Sequence, residues 1–188
     1  MKFSGTVPEF DATDRAILEL LQENCKQPLA AIGEKVGLSA PAIVERIHKL
    51  EEVGVIRSYT ALLDSRRLGR DVTAFIGVSM DQPGGIRNVE SQVAAIDEVL
   101  ECHHVTGAHT LMLKVKTRST ETLESLIDRV RLLEGVARTE TMVVLSTHTE
   151  RSRIALDPAG EPTERPRRSG RTRAKAPAGG HPERGRSE

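Results

Sequence analysis

Arg46, His48 and Lys49 fall in the segment 42–52, where the apolar residues Ile43, Ile47 and Leu50 recur at i, i+4 and i+7. That spacing predicts one buried helical stripe. At 100° per residue, a helix with Ile43 turned inward carries Pro41, Glu45, His48, Lys49 and Glu52 on its far side, with Ala42, Val44 and Arg46 flanking them. Cations so placed can donate to phosphate oxygens or base edges, and Pro41 and Ala42 can pack against sugars or a thymine methyl. Glu45 and Glu52 oppose tight phosphate contact. The candidate DNA-binding set is Ser39, Pro41, Ala42, Glu45, Arg46, His48 and Lys49.

A second polar group is Cys102-His103-His104 with His109. Alternation along a strand points Cys102 and His104 one way and His103 the other, so no compact metal set is expected. The turn Gly107-Ala108-His109-Thr110 offers different chemistry. A glycine lets backbone approach a ligand closely. Amides there can hold a carboxylate, and the Thr110 hydroxyl and His109 ring can add polar contacts. The simpler alternative is a plain hairpin turn at a subunit contact. Cys25, near a helix end, reads as a small packed residue. Gly84-Gly85 lacks phosphate-loop spacing. No Ser/His/Asp or paired-carboxylate arrangement stands out, so no enzyme is expected.

Helices must position the first group. Asp11 precedes Ala12-Thr13-Asp14, a cap with an acidic first turn. Ile17, Leu20 and Leu21 follow at helical spacing up to Asn24. Pro28 can open a second helix striped by Leu29, Ile32 and Val36, and Gly37 suits a left-handed stop. Ser39 then caps the helix of Ile43, Ile47 and Leu50, which Gly54 closes. Helix, glycine turn and capped helix form a helix-turn-helix pattern, in which the first helix of the pair braces the second against the major groove. A three-helix bundle with a solvated charged face has the same spacing. The following stretch, 55–63, is rich in β-formers and should be extended.

The turn at Gly107 needs strands. Val72, Ala74, Ile76, Val78 and Met80 alternate, as do Leu111, Leu113 and Val115. Val99 to Thr106 and Val136 to Ser146 read as further strands. Ile86, Val89, Val93 and Ile96 stripe one helix. Leu123, Leu126, Ile127, Val130 and Leu133 stripe another, capped by Ser119 or Thr120 and ended by Gly135. The order βαββαβ is the ferredoxin-like arrangement, with both helices on one face of an antiparallel sheet. On the last strand Met142 and Val144 lie opposite Val143 and Leu145, leaving little polar face, so a partner subunit should cover the open side.

The expected class is α+β: a winged-type helix-turn-helix with β connector at 10–63, a linker at 64–71, a ferredoxin-like effector and oligomerisation domain at 72–149, and a disordered basic tail at 150–188. The chain has 188 residues with 27 basic and 27 acidic side chains. The balance is uneven: residues 158–188 hold 8 basic and 4 acidic groups and no Leu, Ile, Val, Phe or Tyr. Such composition cannot offset the entropy of ordering. Two cysteines rule out a disulfide framework. No apolar run approaches the roughly 20 residues of a membrane span, and no signal peptide opens the sequence. A reduced, cytoplasmic setting follows, without membrane or metal.

Taken together, Asp11-Ala-Thr-Asp-Arg-Ala-Ile-Leu, Val36-Gly-Leu-Ser39, Arg46-Ile-His-Lys-Leu-Glu-Glu-Val-Gly-Val-Ile56, the segment Tyr59 to Gly69, Val105-Thr-Gly-Ala-His-Thr-Leu111 and Leu133-Glu-Gly-Val136 before Thr139-Glu-Thr141 are similar to the Lrp/AsnC family of transcription regulators. The resemblance spans about residues 10–148. It implies a homodimer joined through the α/β domain, often assembled into octameric discs, and binding of double-stranded DNA by paired helix-turn-helix units. It also implies a small effector, usually an amino acid and not a cofactor, held between adjoining subunits. The implied effector residues are Gly107, Ala108, His109 and Thr110, with Thr139 and Thr141. Many relatives carry acids where Ala108 and Thr110 stand, so a carboxylate for an effector ammonium is missing here.

Two rival classes fit less well. RNA-binding domains of the same strand order stack bases on sheet aromatics, and neither 99–106 nor 111–117 contains one. A small-molecule-sensing metabolic module would have no need of the helix-turn-helix.

Overall fold

Asp11 does what its position predicts. Its carboxylate accepts from the Asp14 amide at 2.7 Å and Asp14 answers the Asp11 amide, a reciprocal cap on helix α1, Ala12–Glu23. Pro28 starts helix α2, Leu29–Val36, and Gly37 ends it at φ +74°. Helix α3 is Ala40–Glu52, with Ser39 at the cap position but its hydroxyl making no cap bond and a proline in the first turn instead. Ile17, Ile32 and Ile43, one from each helix, are fully buried together. Each contributes about 1.5–3 kcal/mol by leaving water. The computed structural model describes residues 10–81 and 85–156. Gly84, the first nine residues and the stretch 157–188, including most of the expected disordered tail, lie outside the described residues.

The α/β part has strands β1, Val72–Met80, β2, Val99–His104, β3, Leu111–Thr117, and β4, Val136–Val143, with helices α4, Ile86–Ala94, and α5, Thr120–Arg131. The sheet is antiparallel in the order β2-β3-β1-β4. Ser119 caps α5 reciprocally with Thr122. Alternation in β3 is complete: Leu111, Leu113, Val115 and Thr117 are buried. They join Ala74, Ile76 and Val78 against Val89, Val93, Leu123, Leu126 and Val130, so both helices cover one face. Phe75, Gly77, Met112, Lys114, Glu140 and Met142 share the other face by register.

Several boundaries differ from the sequence reading. Strand β2 ends at His104 and β4 at Val143, although the Val144 amide still bonds Thr73 O at 2.9 Å. The β-prone stretch 55–63 carries no strand. A strand needs a neighbour for its backbone groups, and among the described residues no strand pairs with this stretch. Leu62 and Leu63 are 78% and 71% exposed. The chain divides into two units: one runs to Val53 and resumes at Ile154, and the other is Gly54–Arg153. The connector thus groups with the sheet and not with the helices. The expected free tail is also anchored at its start. Glu150 pairs with Lys114 Nζ at 2.7 Å, and Ile154 bonds Gln22 on α1.

Candidate nucleic-acid interface and effector turn

The helix-turn-helix geometry depends on a close approach between α2 and the loop before α3. Leu38 N donates to Gly33 O at 2.9 Å, and a side chain on Gly33 would strike the Leu38 carbonyl. Only a glycine allows the turn to fold this tightly. On α3, Pro41, Glu45, His48, Lys49 and Glu52 are all exposed, as the helical rotation requires, and Ser39 is exposed beside them. Ala42 is half-buried and Val44 is 48% exposed. His48 Nδ1 lies 3.3 Å from Glu52.

Arg46 departs from the set. Its Nη1 lies 2.7 Å from both Asp11 Oδ2 and Asp14 Oδ1, so its guanidinium ties α3 to the start of α1 and does not stand free beside Lys49. The bond from the Asp14 amide, then the one from Arg46, holds the Asp11 carboxyl below its ordinary range, while the two carboxylates raise Arg46. Helical rotation placed Arg46 on the flank correctly. What it lacked was the partner, more than thirty residues away in sequence.

In the second unit the turn after β2 is held to the sheet. Thr110 N donates to Val78 O at 2.8 Å and Val105 N to Thr110 O at 3.0 Å. Gly107 takes φ +117° with nothing within 4 Å of where a side chain would begin, so its backbone is open, and Ala108 is exposed. His109 instead lies down. Its ring occupies the space over Gly77, where an added Cβ would come within 2.5 Å, and its side chain is only 13% exposed. Ser79 Oγ is 3.3 Å from His109 Nδ1 and also donates to Ala108 O. Glu140 lies 3.6 Å from His109 Nε2.

The expected effector set is not brought together in one chain. Thr139 and Thr141 pair with Val78 and Ile76 and so share the helix-covered face, whereas His109 and Glu140 lie on the open one. Thr139 accepts from Arg131 Nε of α5 at 2.9 Å. The sequence reading missed Gly77, Ser79 and Glu140. The lone glycine inside an otherwise apolar strand was the available signal.

Cys102 and His104 do point away from His103, which bonds Glu101 at 3.0 Å. Among the described residues no three His, Cys, Asp or Glu side chains gather as a metal site, and no helix is long and apolar enough to cross a membrane. Cys25 is exposed, and partial burial of Cys102 pushes its thiol up.

Two family models match the two units in turn: an AsnC-type helix-turn-helix domain over residues 10–51 and an Lrp/AsnC ligand binding domain over 73–154. The HTH-type transcriptional regulator FL11 of Pyrococcus abyssi is 36% identical over 146 residues, covering 78% of this chain and 96% of that relative. The chain belongs to the Lrp/AsnC family of transcriptional regulators. Among solved structures, this Lrp/AsnC chain resembles E. coli AsnC at 29% identity and a TM-score of 0.73, over 77% of its own length and 98% of that chain. It also resembles the regulator NMB0573 of Neisseria meningitidis in complex with L-Met, at 27% identity and a TM-score of 0.76, over 79% and 98%.

Proposed function

We propose that this regulator reads operator DNA with α3 from two copies and answers to an amino acid taken up beside the Gly107 turn. The observation that carries the DNA reading is the exposed side of α3, where Pro41, Ala42, Glu45, His48 and Lys49 sit on a helix fixed by the Gly33–Leu38 approach. Of these, Lys49 is the phosphate contact, while Pro41 and Ala42 lie at the end that enters the groove. The second copy covers the sheet face of Phe75, Met112 and Met142, and half-sites repeat about one DNA turn apart or multiples of it. The protein works where its DNA lies, in the cytoplasm.

The NMB0573 neighbour holds L-Met, and the same class of ligand suits this turn. The open Gly107 backbone can receive a carboxylate. No acid lies within the turn, so Glu140, beside His109, is the carboxylate we assign to the ammonium.

Fluorescence anisotropy on a duplex enriched from a random library by the full chain tests the DNA reading. Lys49→Ala should weaken binding across sequences and lower the salt slope by about 1. Unchanged binding by a folded Lys49→Ala, His48→Ala chain would sink it. Calorimetry with the twenty amino acids tests the effector. Binding that survives Gly107→Asp would move the pocket elsewhere, and a stable monomer at micromolar concentration in sedimentation would remove the second copy.

A further inference from the structure

We propose that His109 makes effector uptake proton-linked: a proton on its ring and the ammonium of the amino acid compete for one place beside Glu140. The inference rests on the effector reading of the Gly107 turn and adds the regulation of that site. The count of hydrogens fixes the tautomer. Ser79 Oγ donates to Ala108 O at 3.3 Å and lies 3.3 Å from His109 Nδ1. A hydroxyl has one hydrogen and two lone pairs. With that hydrogen given to Ala108, Ser79 can only accept from the ring, so the proton of the neutral imidazole sits on Nδ1. Nε2 is then a bare acceptor, and at 3.6 Å it faces the carboxylate of Glu140.

An acceptor facing an acceptor makes no hydrogen bond. The ring lies down over Gly77 with its side chain only 13% exposed, whereas Glu140 is half exposed and within reach of a ligand. Two species can fill the gap. A proton on Nε2 lets the imidazolium donate to Glu140 and closes the place. An ammonium carries three donors. It can give one to Nε2 and one to Glu140 while its own carboxylate lies on the open Gly107 backbone. Both cannot be present together, because the charged ring has no lone pair left and repels a second cation. Around the ring, β4 adds Arg138, whose Nη2 meets Glu140 Oε2 at 2.9 Å. Strand β1 presents Gly77 and Ser79, neither of them charged. On β3, Met112 stands beside Gly77, and Lys114 is held by Glu101 and Glu150. His103 of β2 lies one strand further on, bonded to Glu101.

Calorimetry of the full chain with the twenty amino acids at about pH 8 finds the one to use, which is then titrated down to about pH 5, the span over which histidine changes charge. Its affinity should fall at least about tenfold, with a limiting slope of about ten per pH unit for one proton exchanged against one effector. Titrations in two buffers of different ionisation heat should show protons released on binding at the acid end and none at the alkaline end. His109→Gln should flatten the profile and abolish the release. A profile that persists in that chain, or vanishes in His103→Gln instead, overturns the proposal. So does a native affinity equal at both ends. Where His109→Gln loses binding altogether, Ser79→Ala decides. Without the hydroxyl the neutral ring can carry its proton on Nε2 and donate to Glu140, so affinity should drop several-fold at the alkaline end and little at the acid end. A loss equal at both ends overturns the tautomer and the proposal with it. Failure of the effector reading looks different: none of the twenty binds at either end, and the proton link falls too. Binding without pH dependence removes the link alone.

Discussion

The guanidinium of Arg46 lies 2.7 Å from the carboxylate of Asp14, joining α3 to the first turn of α1 across 32 residues of sequence. The pair orients the helix that carries Lys49. Arg46→Ala should therefore reduce DNA affinity indirectly, by loosening α3. A double-mutant cycle with Asp14→Ala should give a coupling of about 0.5–1 kcal/mol, the range for a partly exposed pair. Arg46→Lys should recover part of the value, because one ammonium can meet both carboxylates as the single Nη1 does, but from a shorter side chain. A coupling of zero in thermal unfolding would assign Arg46 back to the DNA.

The same contact has a pH signature. The folded chain holds Asp11 below its ordinary value of 3.8, chiefly through the Asp14 amide and then Arg46. A depressed carboxyl stabilises the fold above the unfolded value, and that contribution is lost as pH falls through the folded one. The contribution of this contact to stability should fade as pH falls below the ordinary carboxyl range, and Asp11→Asn should remove that part of the pH dependence of thermal melts.

Gly33→Ala sets two effects against each other. Alanine favours a helix by about 1 kcal/mol over glycine. The new methyl, however, meets the backbone carbonyl of Leu38, which cannot swing aside. The clash should win, with a net loss of about 1–3 kcal/mol and loss of operator binding in parallel. A Gly33→Ala chain melting above the native one would contradict this account of the turn.

At Gly77 the obstacle is a side chain, so the outcome is reversible. Gly77→Ala should unseat the His109 ring and cost about 1–2 kcal/mol as overpacking. The double variant Gly77→Ala, His109→Ala should recover most of that loss. Thermal melts of the three chains decide it, and a double variant no better than Gly77→Ala alone would show that the ring is not the cause.

Glu45 presents its charge on the exposed side of α3 near Lys49. Glu45→Gln should raise affinity for an unrelated and for the enriched duplex by the same factor, because removing a repulsive charge helps every phosphate backbone equally. Anisotropy on both duplexes measures the ratio.

What the sequence made legible was local or periodic. Asp11, Gly37 and Ser119 announce helix ends through their own chemistry, and Leu111, Leu113 and Val115 announce a half-buried strand. The exposed side of α3 follows from rotation alone. What stayed hidden depends on partners distant in the chain. Arg46 looked like Lys49 until Asp11 and Asp14 were folded against it. The seat of the His109 ring over Gly77 was not legible, because the two residues lie on different elements far apart in sequence. Thr139 and Thr141 entered only through the resemblance, and register sets them on the face opposite His109 and Glu140. Residues 55–63 have strand-forming side chains, but side chains alone do not supply a hydrogen-bonding neighbour.

The two cysteines make the molecule its own reporter. Cys25 is open to solvent three residues beyond Gln22, while Cys102 packs partly against the sheet core with its thiol pushed up. A maleimide dye at neutral pH should attach at Cys25 well before Cys102, since the thiolate is the reacting form. Without any engineered site, the label would stand beside the place where Ile154 is held. Its emission would then report, in real time, whether the C-terminal chain stays on α1 or leaves it when DNA arrives.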